Sequence, residues 1–178
     1  MTPRFATLAL LVLAAAAARL APHPDNFTPV AAMALFGGAR FADKRAAFLV
    51  PLAAMVLSDC VLGFTAVAPF VYGAFALTVL LGFALREKGG IARLAGAGIA
   101  AAVLFFVVTN GAVWLVSGLY PKTAAGFVDC LIAGVPFFRN TLLGTLAYEA
   151  VLFGGFALAE RRFPALRRAL RTPAVVAA

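Results

Sequence analysis

Apolar residues run along this chain in stretches too long and too even to be the buried stripe of a water-exposed helix, and short polar, Pro- or Gly-bearing clusters separate them. A helix crossing hydrocarbon needs about 20 predominantly apolar residues, fewer where the helix is short or the bilayer thins. Six stretches read as helices of this kind: 5–20, a short one at 27–39, 46–64, 70–85, 91–116 and 141–159. The connection 117–140 is apolar from Gly126 to Phe138 but carries Pro121, Gly134 and Pro136. It reads as a loop with a short interfacial or re-entrant helix, whose non-helical backbone would have to be buried in protein or at the interface. The expected fold is all-α: a polytopic membrane helical bundle of six transmembrane helices in one domain, 1–160, followed by a basic tail, 161–178.

Composition supports that reading. The chain is 64% apolar and 12% charged, against about 45–50% and about 25% in soluble domains. A chain of 178 residues cannot bury such an excess in one water-surrounded core. The net charge of +8 would point to nucleic acid in a soluble domain, but the basic residues sit between the apolar stretches. With the N-terminus inside, the inner segments hold Arg4; Arg40, Lys44 and Arg45; Arg86, Lys88 and Arg93; and the tail Arg161, Arg162, Arg167, Arg168 and Arg171. Only Arg19, Lys122 and Arg139 fall elsewhere. Both termini are therefore expected in the cytoplasm of a bacterium, with the chain in its inner membrane. The first stretch also has the basic start and small residues of a signal peptide, but Arg19 near the cleavage position argues for a retained helix.

On this topology the unusual polar residues gather at one end. Residues 22–29, Pro-His-Pro-Asp-Asn-Phe-Thr-Pro, form a stiff outer loop, since three prolines can join neither helix. His23 and Asn26 lie in it. Ser58, Asp59 and Cys60 end the third stretch, Tyr72 opens the fourth, and Thr109, Asn110 and Trp114 lie in the outer part of the fifth. Tyr120, Lys122, Thr123, Asp129 and Cys130 occupy the long connection, and Arg139 and Asn140 open the sixth stretch. Polar groups in hydrocarbon are costly and mark function by default, and clustering at one depth fits a pocket open to one side, whereas a channel needs polar residues along its whole path. Asp59 needs a partner, for which Arg139 and Lys122 are candidates. Tyr72, Trp114 and Tyr120 have a second reading as interfacial belt aromatics. Glu149, alone at mid-depth, reads as the partner of Arg139 or the cap of a buried polar cluster ahead of a proton-coupling role. Small residues (Ala14, Ala18, Gly96, Gly98, Gly144, Gly154, Gly155) mark close helix packing or a docking face.

No Walker, GxSxG or HExxH pattern is present. One histidine and two isolated cysteines give neither a His-based metal cluster nor a disulfide framework.

The segments 26–39, Asn-Phe-Thr-Pro-Val-Ala-Ala-Met-Ala-Leu-Phe-Gly-Gly-Ala, and 46–59, ending Val-Leu-Ser-Asp, resemble the second and third helices of the substrate-binding S components of energy-coupling-factor (ECF) vitamin transporters, nearest the solitary cobalamin type. The resemblance implies six spans with both ends inside, a short second helix and a vitamin site opening outward beneath loops. It implies Cys60 or Cys130 as a cobalt ligand, and either an ECF energising module as partner or solitary action. The Pro-His-Pro-x-Asn-Phe-Thr-Pro and Tyr-Pro-Lys-Thr motifs (the latter at 120–123) are also similar to those of an uncharacterised bacterial integral membrane family.

The resulting expectation is an uptake protein, not an enzyme, that takes a small vitamin-like ligand with His23, Asn26, Asp59, Tyr72, Asn110, Trp114, Arg139 and Asn140. It would hold no cofactor or metal of its own and engage the lipid bilayer but no nucleic acid. A non-transporting scaffold or assembly factor with a protein partner is the alternative. A membrane enzyme using Asp59, Asp129 or Glu149 comes last, since no nucleophile–base pair is legible.

Overall fold

The computed structural model describes residues 1–86 and 90–167. Lys88, Arg168 and Arg171, assigned above to the basic end, and the tail 168–178 lie outside the described residues. Six helices follow in order: α1 Pro3–Ala18, α2 Val30–Arg40, α3 Lys44–Leu62, α4 Ala68–Phe83, α5 Ile91–Val116 and α6 Ala124–Arg162. A π turn at Ala150–Gly154 interrupts α6, and a short 3₁₀ turn, Pro164–Leu166, follows it. No strand occurs among the described residues.

Local chemistry sets the helix starts. The Thr2 hydroxyl accepts the Phe5 amide (3.2 Å) with Pro3 in the first turn, and the Asp43 carboxylate accepts the Ala46 amide (2.8 Å). Each satisfies one of the amides that a helix N-terminus leaves open.

α6 corrects the expected layout. The segment 117–140 is not a loop with an interfacial helix. The Thr123 hydroxyl caps a helix by accepting the Gly126 amide (3.1 Å), and that helix runs unbroken through Gly134 and Pro136 into the stretch expected to begin at Thr141. Pro136 deletes one helical bond, and the packing of α5 along α6 sustains the helix across it. Three helices, α3, α5 and α6, are long and apolar enough to cross a membrane, whereas α1, α2 and α4 are shorter apolar helices. Exposed Leu49, Leu57, Ile132 and Val151 give the outside the apolar surface of a membrane protein.

The organising element is α2. Every residue from Val30 to Ala39 is buried, with α1, α3, α4, α5 and α6 all packed against it. No polar side chain interrupts it before Arg40, so it sits in the core on all faces. Close approach to α4 requires Gly38 and Gly82, because a Cβ on Gly38 would run into the Val79 carbonyl and one on Gly82 into that of Leu35. Phe36 packs edge-on to Phe153 (5.2 Å) and Phe156 (5.8 Å) in favourable T-shaped geometry.

One end of the bundle is basic. Arg86 donates to the carbonyls of Gly38 (2.7 Å) and Phe41 (2.9 Å), closing the C-terminus of α2 as a cation there should. Arg4 pairs with Glu160 and donates to the Leu166 carbonyl. Arg167 returns to the Glu160 carbonyl (3.0 Å). The start of the expected tail is thus folded onto the bundle rather than free.

Candidate functional site

At about 1.5 Å per residue the 11 residues of α2 span roughly 16 Å, about half of a 30 Å hydrocarbon core. Its C-terminus lies at the basic end, so the space beyond Val30 toward the opposite end is filled by no helix. A cavity of about 700 Å³ occupies it, within the size range of small-molecule sites. Val30 forms its base. One face of α5 (Phe105, Phe106, Thr109, Asn110, Val113) and one face of α6 (Cys130, Ala133, Gly134, Phe137, Phe138, Thr141) form a wall. Val67 and Val71 at the start of α4, Tyr120, and Arg19, His23, Asp25, Asn26 and Thr28 complete it.

The loop 22–29 is fastened across this space. The Phe27 amide donates to Pro24 O (3.0 Å), and Asn26 takes φ 62°, a conformation asparagine tolerates better than most residues. The Asn140 amide donates to Asp25 O (2.9 Å), and the Phe27 ring lies 6.0 Å from that of Tyr148. His23 Nδ1 and Nε2 lie 3.0 and 3.3 Å from the carbonyl oxygens of Pro24 and Arg19, which holds the ring at the rim.

A buried polar cluster stands beside the cavity. Arg19 Nη2 lies 2.7 Å from Asp59 Oδ1, and the Tyr72 hydroxyl donates to Asp59 Oδ2 at 2.7 Å. Arg19 also donates to the Ser58 hydroxyl. The two charged side chains are 13% and 9% exposed, a depth at which neither would be stable alone. The partner of Asp59 is therefore Arg19, not Arg139 or Lys122. Arg19 is shared between this cluster and the cavity lining.

The expected site residues separate into three groups. His23, Asn26 and Asn110 line the cavity. Asp59 and Tyr72 do not line it; they hold Arg19, which does. Trp114, Arg139 and Asn140 are also outside the lining. Trp114 Nε1 donates to Pro121 O (2.9 Å), and the ring packs on Phe127 (5.5 Å) and under Lys122 Nζ (5.5 Å), so it fastens the α5–α6 turn. Arg139 is exposed, and Asn140 ties down the loop. Of the cysteines, Cys130 is buried in the cavity wall with its thiol donating to Asn110 O (3.3 Å), whereas Cys60 is exposed away from it.

Asn110 is the most informative lining residue. Its amide N–H donates to Phe106 O (2.8 Å), and its other atoms lie against Gly134, where a Cβ would collide with them. Its side-chain oxygen packs against Gly134 within a largely aromatic wall. The cavity thus offers flat apolar surface with a few convergent polar groups, and its Arg19 charge is already balanced by Asp59. That chemistry suits an uncharged or weakly charged ring system bearing N–H or O–H groups.

A family of unknown function, DUF6580, matches the chain over residues 1–166. No curated protein and no solved structure matches it.

Proposed function

We propose that this chain, which belongs to the DUF6580 family, captures a small vitamin-like molecule from the periplasmic side of the bacterial inner membrane for uptake. The supporting observation is the cavity above the half-length α2: it lies toward the end opposite the basic end, and the positive-inside tendency assigns the basic end to the cytoplasm. Phe105, Phe106, Phe137 and Phe138 receive a ring, and Arg19, His23, Asn26 and Asn110 meet its polar edge. The volume fits a ligand of ordinary vitamin size enclosed within the protein; a whole corrinoid of the cobalamin type would stand partly outside it, with Cys130 as the thiol nearest its metal. Release to the inside requires either reorientation of the bundle or a partner that supplies energy, such as an ECF-type energising module, since the chain carries no nucleotide-binding motif.

The test is native mass spectrometry of the detergent-purified protein after incubation with a vitamin panel that includes cobalamin. A retained mass that Asn110→Ala weakens supports capture. Stoichiometric co-purification of a protein with no retained small molecule would favour the scaffold reading instead.

A further inference from the structure

A second polar group lies deep in the bundle, outside the cavity and its neighbouring cluster. Glu149 is 2% exposed and its Oε1 has no hydrogen-bond partner among the described residues; Thr145, one turn earlier on the same face, is 1% exposed and its hydroxyl is likewise without one among them. The carboxylate is pressed against α5 at Gly98, where a Cβ would occupy its place. Among the described residues, the elements packed around it bring no counter-charge to its depth. α2 carries only Arg40, α5 only Arg93, and α4 only the titratable Tyr72. On α6 itself Tyr148 is adjacent, Asp129 and the exposed Arg139 lie well toward its N-terminal end, so Arg139 is not the partner of Glu149, and Glu160, Arg161 and Arg162 lie at the basic end. Arg40 is stacked over the rings of Phe153 (5.2 Å) and Phe156 (5.9 Å).

Two buried, unpaired oxygens on one helix face constitute an unmet demand for a positive ligand, because an isolated carboxylate at this depth is among the most costly groups a fold can hold. The π turn Ala150–Gly154 begins at the next residue, and such turns, rare in helices, are frequent at functional sites. A cavity at the basic end comes within one helical turn of this pair, without reaching it. This cavity, of about 280 Å³, is lined by Arg40, Leu85, Ile91, Leu94, Phe153 and Gly154. Leu94 and Phe153 each lie one helical turn from Gly98 and Glu149 respectively.

We propose that Glu149 and Thr145 form a monovalent-cation site, loaded with a proton or a sodium ion and entered from the basic end between α5 and α6. It is separate from the outer cavity and stands whatever that cavity binds. The two sources share one chemistry, a single positive charge on the Glu149 carboxylate, and the experiment separates them.

The full chain in detergent is compared with Glu149→Gln by thermal unfolding in sodium chloride against choline chloride, and by infrared difference spectroscopy across about pH 5 to about pH 9. A sodium-dependent rise in Tm that Glu149→Gln abolishes identifies sodium. No sodium effect, with a protonated-carboxyl band that titrates in this window and is missing from Glu149→Gln, identifies a proton. Should Glu149→Gln fail to fold, Thr145→Val, which removes only the hydroxyl, must reduce the sodium response or move the titrating band. The proposal is overturned if sodium has no effect and the wild-type carboxyl band is absent, unchanged with pH or unaffected by these variants.

Discussion

Arg19 Nη2 and Asp59 Oδ1 lie 2.7 Å apart at the polar end of α1 and α3, and Tyr72 of α4 completes the cluster through the second carboxylate oxygen. An ion pair and a hydrogen bond therefore tie three short-to-medium helices together beside the cavity and position Arg19 in its lining.

Breaking that pair from one side should be more harmful than removing it whole. Asp59→Ala leaves a buried guanidinium uncompensated and is expected to cost on the order of 3 kcal/mol. Arg19→Met combined with Asp59→Leu should recover much of this loss. Unfolding transitions of the two single variants and the double variant, measured in one detergent, check the order.

The glycine contact between α2 and α4 should tolerate no side chain. Gly38→Ala would drive a Cβ into backbone that cannot rotate away, so folded yield should fall sharply. Gly73→Ala, which meets nothing within 4 Å, should be neutral or slightly stabilising through helix propensity. Size-exclusion profiles and Tm of the two variants give the comparison.

Asn140 should act on the loop rather than on a ligand. Asn140→Ala is expected to raise hydrogen exchange in residues 22–29 and to leave α2 and α5 protected. Equal exchange in both proteins would show that the bond to Asp25 O does not hold the loop.

Helix existence was legible from hydropathy alone, and α3 and α5 lie close to their expected limits because long apolar stretches admit few other structures. The buried α2 was legible as a short helix, but not as the centre of the bundle, since burial on all faces is a property of its neighbours. The sequence does not reveal α6 as one helix, because Pro136 and Gly134 count as breakers in a solvated helix. Its real signal is periodic: Cys130, Ala133, Gly134, Phe137, Phe138 and Thr141 recur at helical spacing, and Thr123 precedes them as a capping residue. That face is part of the cavity wall, so Phe137 and Phe138 are not legible as lining residues from the sequence, whereas Phe105 and Phe106 lie on the correctly expected α5. His23, Asn26 and Asn110 were reachable as polar residues at one depth. The pairing of Arg19 with Asp59 is not legible in the sequence, because α1–α3 adjacency cannot be derived from residue order. Trp114 and Asn140 looked like ligand contacts and instead fasten a turn and a loop: polarity marks a need for partners, and the chain itself supplies them.

The most direct measurement fills the cavity. Ala133 lines it from α6, so Ala133→Trp should occlude it, whereas Leu57→Trp places the same ring on the exposed apolar surface. Native mass spectra of both variants and the wild type, after incubation with the same vitamin panel, are compared at matched Tm. A retained small molecule is expected on the wild type and on Leu57→Trp, and none on Ala133→Trp. Equal retention by all three, or no retention by the wild type, would contradict capture in this cavity.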